Sequence, residues 1–286
     1  MKKIILFGYF LMLSSIAHAQ LLWEISSNQL KEKSYLFGTH HLIPISFLDS
    51  IKGIYPAFNS CENIVGEIIM DDPSIIKNLQ QAAIITSGET IKDLLTEEQY
   101  TTADSILKDA LGVGLNEMRF FKPAMIENIY LLTIYDKYFQ IDADFQIDTY
   151  FQKVGKKDGK RLFSLETVDE QIKILLDRKP LKEQAQSLYE MLTSSEKIIN
   201  QLEVLNRLYL KQDLEELLEY SNNDSTQTPE DKWILLDQRN IRWAEQLPKQ
   251  FEKGSNFIVV GALHLPGENG VINLLKKQGY KIKPVK

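Results

Sequence analysis

The order of strand-like and helix-like segments restricts the fold more than any other feature of the chain. Short stretches rich in β-branched and aromatic residues lie near both ends, whereas the middle has apolar residues three and four positions apart with charged residues between them. Strands from distant parts of the chain must therefore pair with one another. This order predicts an α/β or α+β domain, in which a central mixed sheet is built from both ends of the chain and a large helical segment fills the middle.

The predicted elements follow from these two periodicities. The strands are expected at residues 22–25, 35–37, 64–69, 161–165, 257–260 and 280–282. The first two flank a polar stretch and read as a hairpin, and the last reads as an edge strand. The helices are expected at residues 96–111, 123–138, 147–157, 168–176, 182–211, 213–220, 230–252 and 271–277.

Residues 1–19 have the layout of a secretory signal peptide: two lysines, an apolar run, and the small-residue site AHA before Gln20. The apolar run is shorter than the roughly 20 residues that span a bilayer. We therefore expect export to the periplasm or the extracellular space, and no integral membrane protein after cleavage. Residues 20–286 are expected to form a single domain with a helical insertion at about 90–250.

Composition and missing motifs exclude several classes of function. The chain has 33 Lys+Arg and 39 Asp+Glu, and loss of the two leader lysines takes the net charge from -6 to -8. Nucleic-acid binding would need a basic face, and this negative net charge gives no indication of one, so we expect no nucleic-acid partner. The single cysteine, Cys61, cannot form an internal disulfide, so the core alone must hold the domain. The absence of H-E-x-x-H, G-x-S-x-G and C-x-x-C excludes thermolysin-like, serine-hydrolase and thioredoxin-like chemistry.

One short pattern occurs near both ends of the chain: an apolar strand, a glycine, two residues and a histidine. The first copy contains Gly38 and His41, and the second contains Gly261 and His264. A glycine directly after a strand permits a sharp turn or a close approach of the backbone. Ligand crevices of open α/β sheets lie at the carboxyl ends of the strands. Two strands of one sheet would therefore bring His41 and His264 to a common cleft.

The histidines outside the signal peptide all lie in these two motifs, which suggests a metal site. Imidazole commonly binds zinc, manganese and related ions, and a carboxylate usually completes such a site. Glu67 is the first candidate because a carboxylate inside an apolar strand is costly unless it is paired, protonated or metal-bound. Glu166, at the end of the next strand, is the second. The alternatives are histidines bonded to backbone, a solvent-facing Glu67 on an edge strand, and His40 in place of His41.

Taken together, these stretches resemble the TraB/GumN family, whose animal relatives include the Tiki proteins. The likeness lies in LLWEIS, SYLFGTHHLIP, NIVGEI, LFSLETVDEQ and FIVVGALHLPGENGVINLLKKQGYKI, and residues 237–243 are similar to the family's R-N-x-x-W helix. The resemblance implies a metal-dependent protease that uses His41, His264 and Glu67, with manganese or cobalt favoured and zinc not excluded. It also implies that Arg239 and Asn240 are supporting groups.

One segment departs from the family pattern. Residues 146–148 match the usual G-I-D only in part, because Gln146 stands where glycine is common. The departure weakens any role for Asp148 and leaves the paired histidines untouched.

Two main classes of function follow. The first is a metallohydrolase acting on peptide bonds, in which a divalent cation polarises the carbonyl and activates water. Glu67 or Glu166 would then be a ligand or the general base. Arg239 would either stabilise the oxyanion or pair with a glutamate. The second class is a non-catalytic protein that sequesters a peptide signal or a haem-like ligand in the same cleft. A scaffold with a vestigial site is a further alternative.

Overall fold

The computed structural model describes residues 20–139, 146–224 and 227–285. The predicted signal peptide at residues 1–19 lies outside these ranges. Six strands form one sheet: β1 (Leu22–Ser26), β2 (Ser34–Thr39), β3 (Asn63–Gly66), β4 (Arg161–Ser164), β5 (Asn256–Gly261) and β6 (Lys281–Pro284).

Thirteen α-helices are described beside the sheet, and two of them are single turns of four residues. They are α1 (Ile54–Ser60), α2 (Ser74–Ala82), α3 (Ile91–Leu94), α4 (Glu97–Leu111), α5 (Pro123–Phe139), α6 (Ile147–Lys157), α7 (Val168–Leu176), α8 (Leu181–Thr193), α9 (Ser195–Leu210), α10 (Leu214–Asn222), α11 (Pro229–Lys232), α12 (Gln238–Phe251) and α13 (Val271–Lys277). Short 3₁₀ turns cover Ile45–Ser50 and Ala262–His264, and a π turn covers Trp233–Asp237. No helix of the described ranges is long and apolar enough to cross a membrane.

The strand order is β4-β3-β5-β2-β1-β6. The first four strands run parallel, whereas β1 is antiparallel to both β2 and β6. The hairpin of β1 and β2 and the edge position of β6 are confirmed. Because β2 and β5 pair side by side although they lie at opposite ends of the chain, the predicted α/β fold with a mixed sheet is also confirmed.

The four parallel strands end at the same side of the sheet, which we call the carboxyl edge. β3 ends at Gly66, so Glu67 is the first residue beyond the strand, and the prediction of a strand over 64–69 was wrong. The Gln152 side chain explains the early end, since it accepts from Met70 N–H and donates to the Ile68 carbonyl in place of a neighbouring strand. β3 also lies between β4 and β5, which overturns the alternative of an edge strand.

The helical pattern was predicted well in its long segments and less well in its breaks. The expected helix over 182–211 is two helices, because the backbone leaves the helical conformation at Ser194, where φ is -122°. The expected helix over 230–252 contains the π turn Trp233–Asp237. Helices α1, α2 and α3 were not predicted, although α1 and α2 carry apolar residues three and four positions apart.

Apolar packing joins the sheet to several helices and forms a second cluster among the helices of the middle segment. The main core surrounds the strands and includes Phe37, Phe257 and Trp243. A second cluster, including Leu107, Ile126 and Leu188, joins α4, α5 and α8. The main core therefore holds the strands together with helices such as α12, while α4, α5 and α8 pack mainly on one another.

Candidate functional site

A cavity of ≈580 Å³ opens at the carboxyl edge. His41, Glu67, Gly261 and His264 line it from the ends of β2, β3 and β5, and Arg239 lines it from α12. The two histidine motifs thus reach one cavity, as the parallel pairing of β2 with β5 requires. Among the other predicted site residues, Gly38, Glu166 and Asn240 do not line it. Glu166 and Asn240 instead contact the lining residues Arg239 and His264.

Glu67 accepts hydrogen bonds at both of its oxygens. Oε1 accepts from the N–H of Gly261 at 2.8 Å, and Oε2 accepts from Arg239 Nη2 at 2.6 Å and from Gln171 Nε2 at 3.0 Å. Burial acts to raise the pKa of Glu67, but the charges of Arg239 and His41 and the hydrogen bond from the Gly261 amide lower it below its ordinary value. Glu67 is therefore ionised at neutral pH.

Arg239 pairs with two glutamates at once. Its Nε and Nη2 donate to the two oxygens of Glu166 at 2.8 and 2.9 Å, while Nη2 also reaches Glu67. Nη1 donates to the Leu235 carbonyl at 3.1 Å, and the guanidinium lies 4.8 Å from the ring centre of Trp243. Of the two roles that the sequence left open for Arg239, pairing with a glutamate is the one realised in this arrangement.

His264 is held in one tautomer by its two neighbours. Its Nε2 lies 3.1 Å from Arg239 Nη1, and its Nδ1 lies 2.6 Å from Asn240 Oδ1. A guanidinium N–H can only donate, so Nε2 must accept and Nδ1–H must donate to the amide oxygen. Burial lowers the pKa of His264 to about 3, against the opposing effect of Glu67. The ring is therefore neutral, with the Nε2 lone pair facing Arg239.

His41 is the exposed member of the pair. Its side chain is 58% exposed, and its Nδ1 lies 2.9 Å from Asp148 Oδ2. The Thr39 hydroxyl donates to the other oxygen of the same carboxylate at 2.8 Å. The charge of Asp148 raises the pKa of His41. Because Nδ1 faces the carboxylate, Nε2 is the nitrogen left for a ligand.

His40 also lines the cavity, but its ring is engaged by aromatic neighbours. The ring centre lies 5.4 Å from that of Tyr209 and 6.4 Å from that of Tyr135, and Nδ1 accepts from the Leu42 N–H at 3.3 Å. His41, unlike His40, has a carboxylate at Nδ1. The geometry favours His41 as the candidate ligand.

The two motif glycines differ in what surrounds them. A Cβ at Gly38 would lie 3.0 Å from both Ala262 Cα and Leu265 Cδ2, so the backbones approach too closely for a side chain. A Cβ at Gly261 would lie 3.4 Å from Glu67 Oε1, which is ordinary contact, and the φ of Gly261 is -53°. Close approach thus explains Gly38, and neither glycine has the left-handed φ of a sharp turn.

Glu166 accepts hydrogen bonds from Arg239 and Arg242 and so holds both side chains in position. Its side chain is 1% exposed, and Arg242 Nη2 donates to it at 3.1 Å beside the two bonds from Arg239. With both oxygens engaged, Glu166 has no free oxygen for the cavity.

Sequence reasoning missed Asp148 and Gln171, the direct partners of His41 and Glu67. The partial G-I-D match was the signal that could have identified Asp148.

The donor set was tested for its fit to a divalent cation. His264 Nε2 and Glu67 Oε1 are 4.0 Å apart, within the roughly 4.2 Å that two ligands at about 2.1 Å from one ion can span. Both imidazoles carry an acceptor at Nδ1, as metal-ligating histidines almost always do. In the described ranges, however, no three His, Cys, Asp or Glu side chains are already grouped for a metal. The donor types therefore fit a divalent ion, but Arg239 Nη1 donates a hydrogen bond to the Nε2 lone pair of His264 that the ion would need.

Sequence comparisons relate the chain to named metalloproteases. Metalloprotease TIKI2 of Danio rerio is 22% identical over 92% of this chain and 60% of its own length. Metalloprotease TIKI1 of Xenopus tropicalis is 24% identical over 91% and 60%, and metalloprotease TIKI1 of Danio rerio is 22% identical over 92% and 62%. The chain thus spans about 60% of the length of these relatives. No solved structure matches it.

A family assignment covers nearly the whole described chain. The sequence pattern of the TraB/PrgY/gumN family matches residues 21–284, which include every strand of the sheet and both histidine motifs. The chain belongs to the TraB/PrgY/gumN family.

Proposed function

We propose that this protein is a metal-dependent peptidase whose ion is held by His41, Glu67 and His264. One observation carries the proposal: both motif histidines reach one cavity with Nδ1 bound by Asp148 or Asn240, which directs Nε2 to the ligand side. The metalloprotease names of the relatives support the reaction class. The preference for manganese or cobalt is part of the proposal.

The protein's own residues would have different roles around such an ion. A divalent ion at this place would supply Lewis-acid chemistry, since it would polarise the scissile carbonyl and make a water molecule more acidic. Glu67 brings a permanent negative charge to the ion, because its low pKa keeps it ionised. Its Oε1 lies 4.0 Å from His264 Nε2, a separation that one ion can span, so we assign Glu67 the role of ligand.

Arg239 is the group that must adjust. Nη1 occupies the lone pair of His264 Nε2, whereas Nε and Nη2 remain anchored on Glu166. Because the guanidinium is planar and rigid, Nη1 can leave His264 only if the whole group shifts, and Arg239 keeps its positive charge beside the cavity after that shift. A cation next to the reacting carbonyl stabilises the charge that develops on its oxygen. Arg239 therefore combines a structural ion pair with an electrostatic role.

Cleavage of a peptide mixture tests this function. The purified protein is incubated with a defined peptide library and manganese or cobalt, and the products are identified by mass spectrometry. We expect cleavage that stops with chelator and returns when metal is restored. Glu67→Gln and His264→Gln should abolish it. Glu62→Gln is the matched control, because Glu62 forms only an exposed ion pair with Arg161.

The outcomes of this assay are distinct. Cleavage that survives Glu67→Gln in folded protein, or that ignores the chelator, contradicts the proposal. If the protein binds the metal but cleaves no peptide, the result would contradict the peptidase. It would favour the alternative of a non-catalytic protein that sequesters a peptide or haem-like ligand in the same cleft.

We also propose that the protein acts outside the cytoplasm. The proposal rests on the signal-peptide layout of residues 1–19. Amino-terminal sequencing of protein recovered from the periplasm or the medium should begin at Gln20. A cytoplasmic product that still begins at Met1 would contradict it.

A further inference from the structure

The walls of the cavity differ in character from its floor. Around the polar floor stand aliphatic side chains from several helices and the π turn; they are Leu132, Ile174, Leu175, Leu205, Leu217, Leu235 and Leu236. Each helix contributes a large apolar side chain to one shared space. Ligand pockets commonly have this composition, in which apolar walls bury the ligand and a few polar groups orient it.

Two of these wall leucines are unusually accessible. Leu132 on α5 is 49% exposed and Leu175 on α7 is 47% exposed, and both line the cavity from different helices. Single exposed leucines are common on protein surfaces, but two that converge on one cavity form a site where a ligand can bury apolar surface. The side chains that fit this place are large and apolar.

A second cavity extends the space beyond these leucines. It has the same volume, ≈580 Å³, and shares Leu175 and Leu235 with the first as lining residues. Its lining is polar and carries both charge signs, including Glu127, Arg178 and Lys179. Two adjoining cavities suit an extended chain better than a compact small molecule.

The polar floor argues for a peptide over a hydrocarbon chain. A bound fatty acyl chain would remove water from the His41 ring, which is 58% exposed, without replacing its hydrogen bonds, which is costly. Peptide amides can donate and accept along the floor while their side chains face the leucines. This alternation of polar backbone and apolar side chain matches the cavity.

We infer that the cavity binds peptide segments with large apolar side chains, such as leucine or phenylalanine, next to the bond at the floor. Recognition by Leu132 and Leu175 defines the substrate class. Cleavage of such segments rests on the proposed function, whereas their binding does not.

Binding to metal-free protein tests the inference without turnover. The probes are two fluorescent peptides of equal length and charge, one with leucines at the central positions and one with serines there, and binding is followed by anisotropy. We expect the leucine peptide to bind at least about tenfold more tightly, since each buried leucine contributes apolar area. Leu132→Gln combined with Leu175→Gln should remove most of that preference.

A matched control separates the cavity from general surface effects. Leu210 is 48% exposed, close to the other two, but does not line this cavity, so Leu210→Gln should leave both affinities unchanged. Equal binding of the two peptides, or equal losses in all three leucine variants, would overturn the inference. Tighter binding of dodecanoate or haem than of the leucine peptide would also overturn it, because the occupant would then be a hydrocarbon or a porphyrin.

The two proposals fail in different ways. A leucine preference in binding, with no cleavage of either peptide when manganese or cobalt is added, would contradict the peptidase and leave the inference standing. Cleavage of both peptides at equal rates and with equal affinity would leave the peptidase standing and contradict the inference.

Discussion

Arg239 and Glu67 are 172 residues apart in the chain and form a 2.6 Å ion pair at the floor of the cavity. Their side chains are only 9% and 10% exposed. The pair ties α12 to the end of β3, and Glu166 adds a second carboxylate to the same guanidinium. Because three buried charges depend on one another, the site and the stability of the fold are coupled.

Removal of the Arg239 charge should destabilise the protein strongly. Arg239→Met keeps the length of the side chain but leaves Glu67 and Glu166 buried without their main counter-charge. We expect a loss of about 3–5 kcal/mol in the free energy of unfolding. Urea unfolding followed by circular dichroism measures it.

Arg242→Met is the control for this change. Arg242 also contacts Glu166, but its side chain is 38% exposed, so water screens the loss. We expect at most about 1 kcal/mol. Equal effects of the two substitutions would mean that the buried network does not depend on Arg239.

Asn240 should set the tautomer of His264. Asn240→Leu leaves the buried Nδ1–H without an acceptor, so we expect a loss of about 1–3 kcal/mol. If His264 binds a metal, loss of this outer-shell partner should also weaken metal affinity about 10- to 100-fold. Asn240→Asp keeps an acceptor at the same place and should retain more of the affinity. A leucine variant with unchanged stability and affinity would contradict this role.

The two motif glycines should respond differently to alanine. Gly38→Ala places a methyl group 3.0 Å from the Ala262 backbone, and we expect a cost of about 1–3 kcal/mol. Gly261→Ala meets only ordinary contacts, so stability should change by less than about 1 kcal/mol. Thermal unfolding of both variants checks the contrast. The reverse order would contradict close approach of the backbone as the reason for Gly38.

Asp231 gives a pH-dependent contribution to stability. Burial acts to raise its pKa, but bonds from the Thr228 hydroxyl and amide and the charges of Arg178 and Lys179 lower it overall. A lowered pKa in the folded state stabilises the protein above the unfolded value of about 3.9, and this contribution is lost as the pH falls through the folded value.

Asp231→Asn isolates that contribution. We expect the variant to be about 1–2 kcal/mol less stable at pH 7, with the gap to wild type shrinking below about pH 4. Urea unfolding at both pH values measures it. A gap that stays constant with pH would exclude the charge of Asp231 as its source.

Sequence reasoning reached the fold through periodicity, and it failed where a side chain ends an element. The strands of the sheet and the long helices follow from apolar spacing. The early end of β3 does not follow from it. There the Gln152 side chain, 86 residues after Gly66, makes hydrogen bonds to the backbone that a neighbouring strand would otherwise make. The break at Ser194 is equally invisible, since apolar spacing continues across it.

The sequence suggested the two histidines and Asn240, but it did not suggest that Asp148 contacts His41. Two strand-glycine-histidine motifs on parallel strands were enough to bring His41 and His264 to one cavity. The partner of each histidine is a tertiary contact: Asp148 lies 107 residues from His41, and Asn240 lies 24 residues from His264. The partial G-I-D match and the R-N-x-x-W resemblance pointed to these two segments, but neither shows which histidine each residue contacts.

The most direct test of the central claim is a calorimetric titration of metal-free protein with manganese and cobalt. Wild type and His40→Gln should bind one ion, because the His40 ring packs against Tyr209 and its Nδ1 accepts from the Leu42 amide. His41→Gln and His264→Gln, with folding verified by circular dichroism, should lose at least about 100-fold in affinity. Equal affinity in the wild type and the His264→Gln variant, or no binding by any of the four proteins, would contradict the metal site.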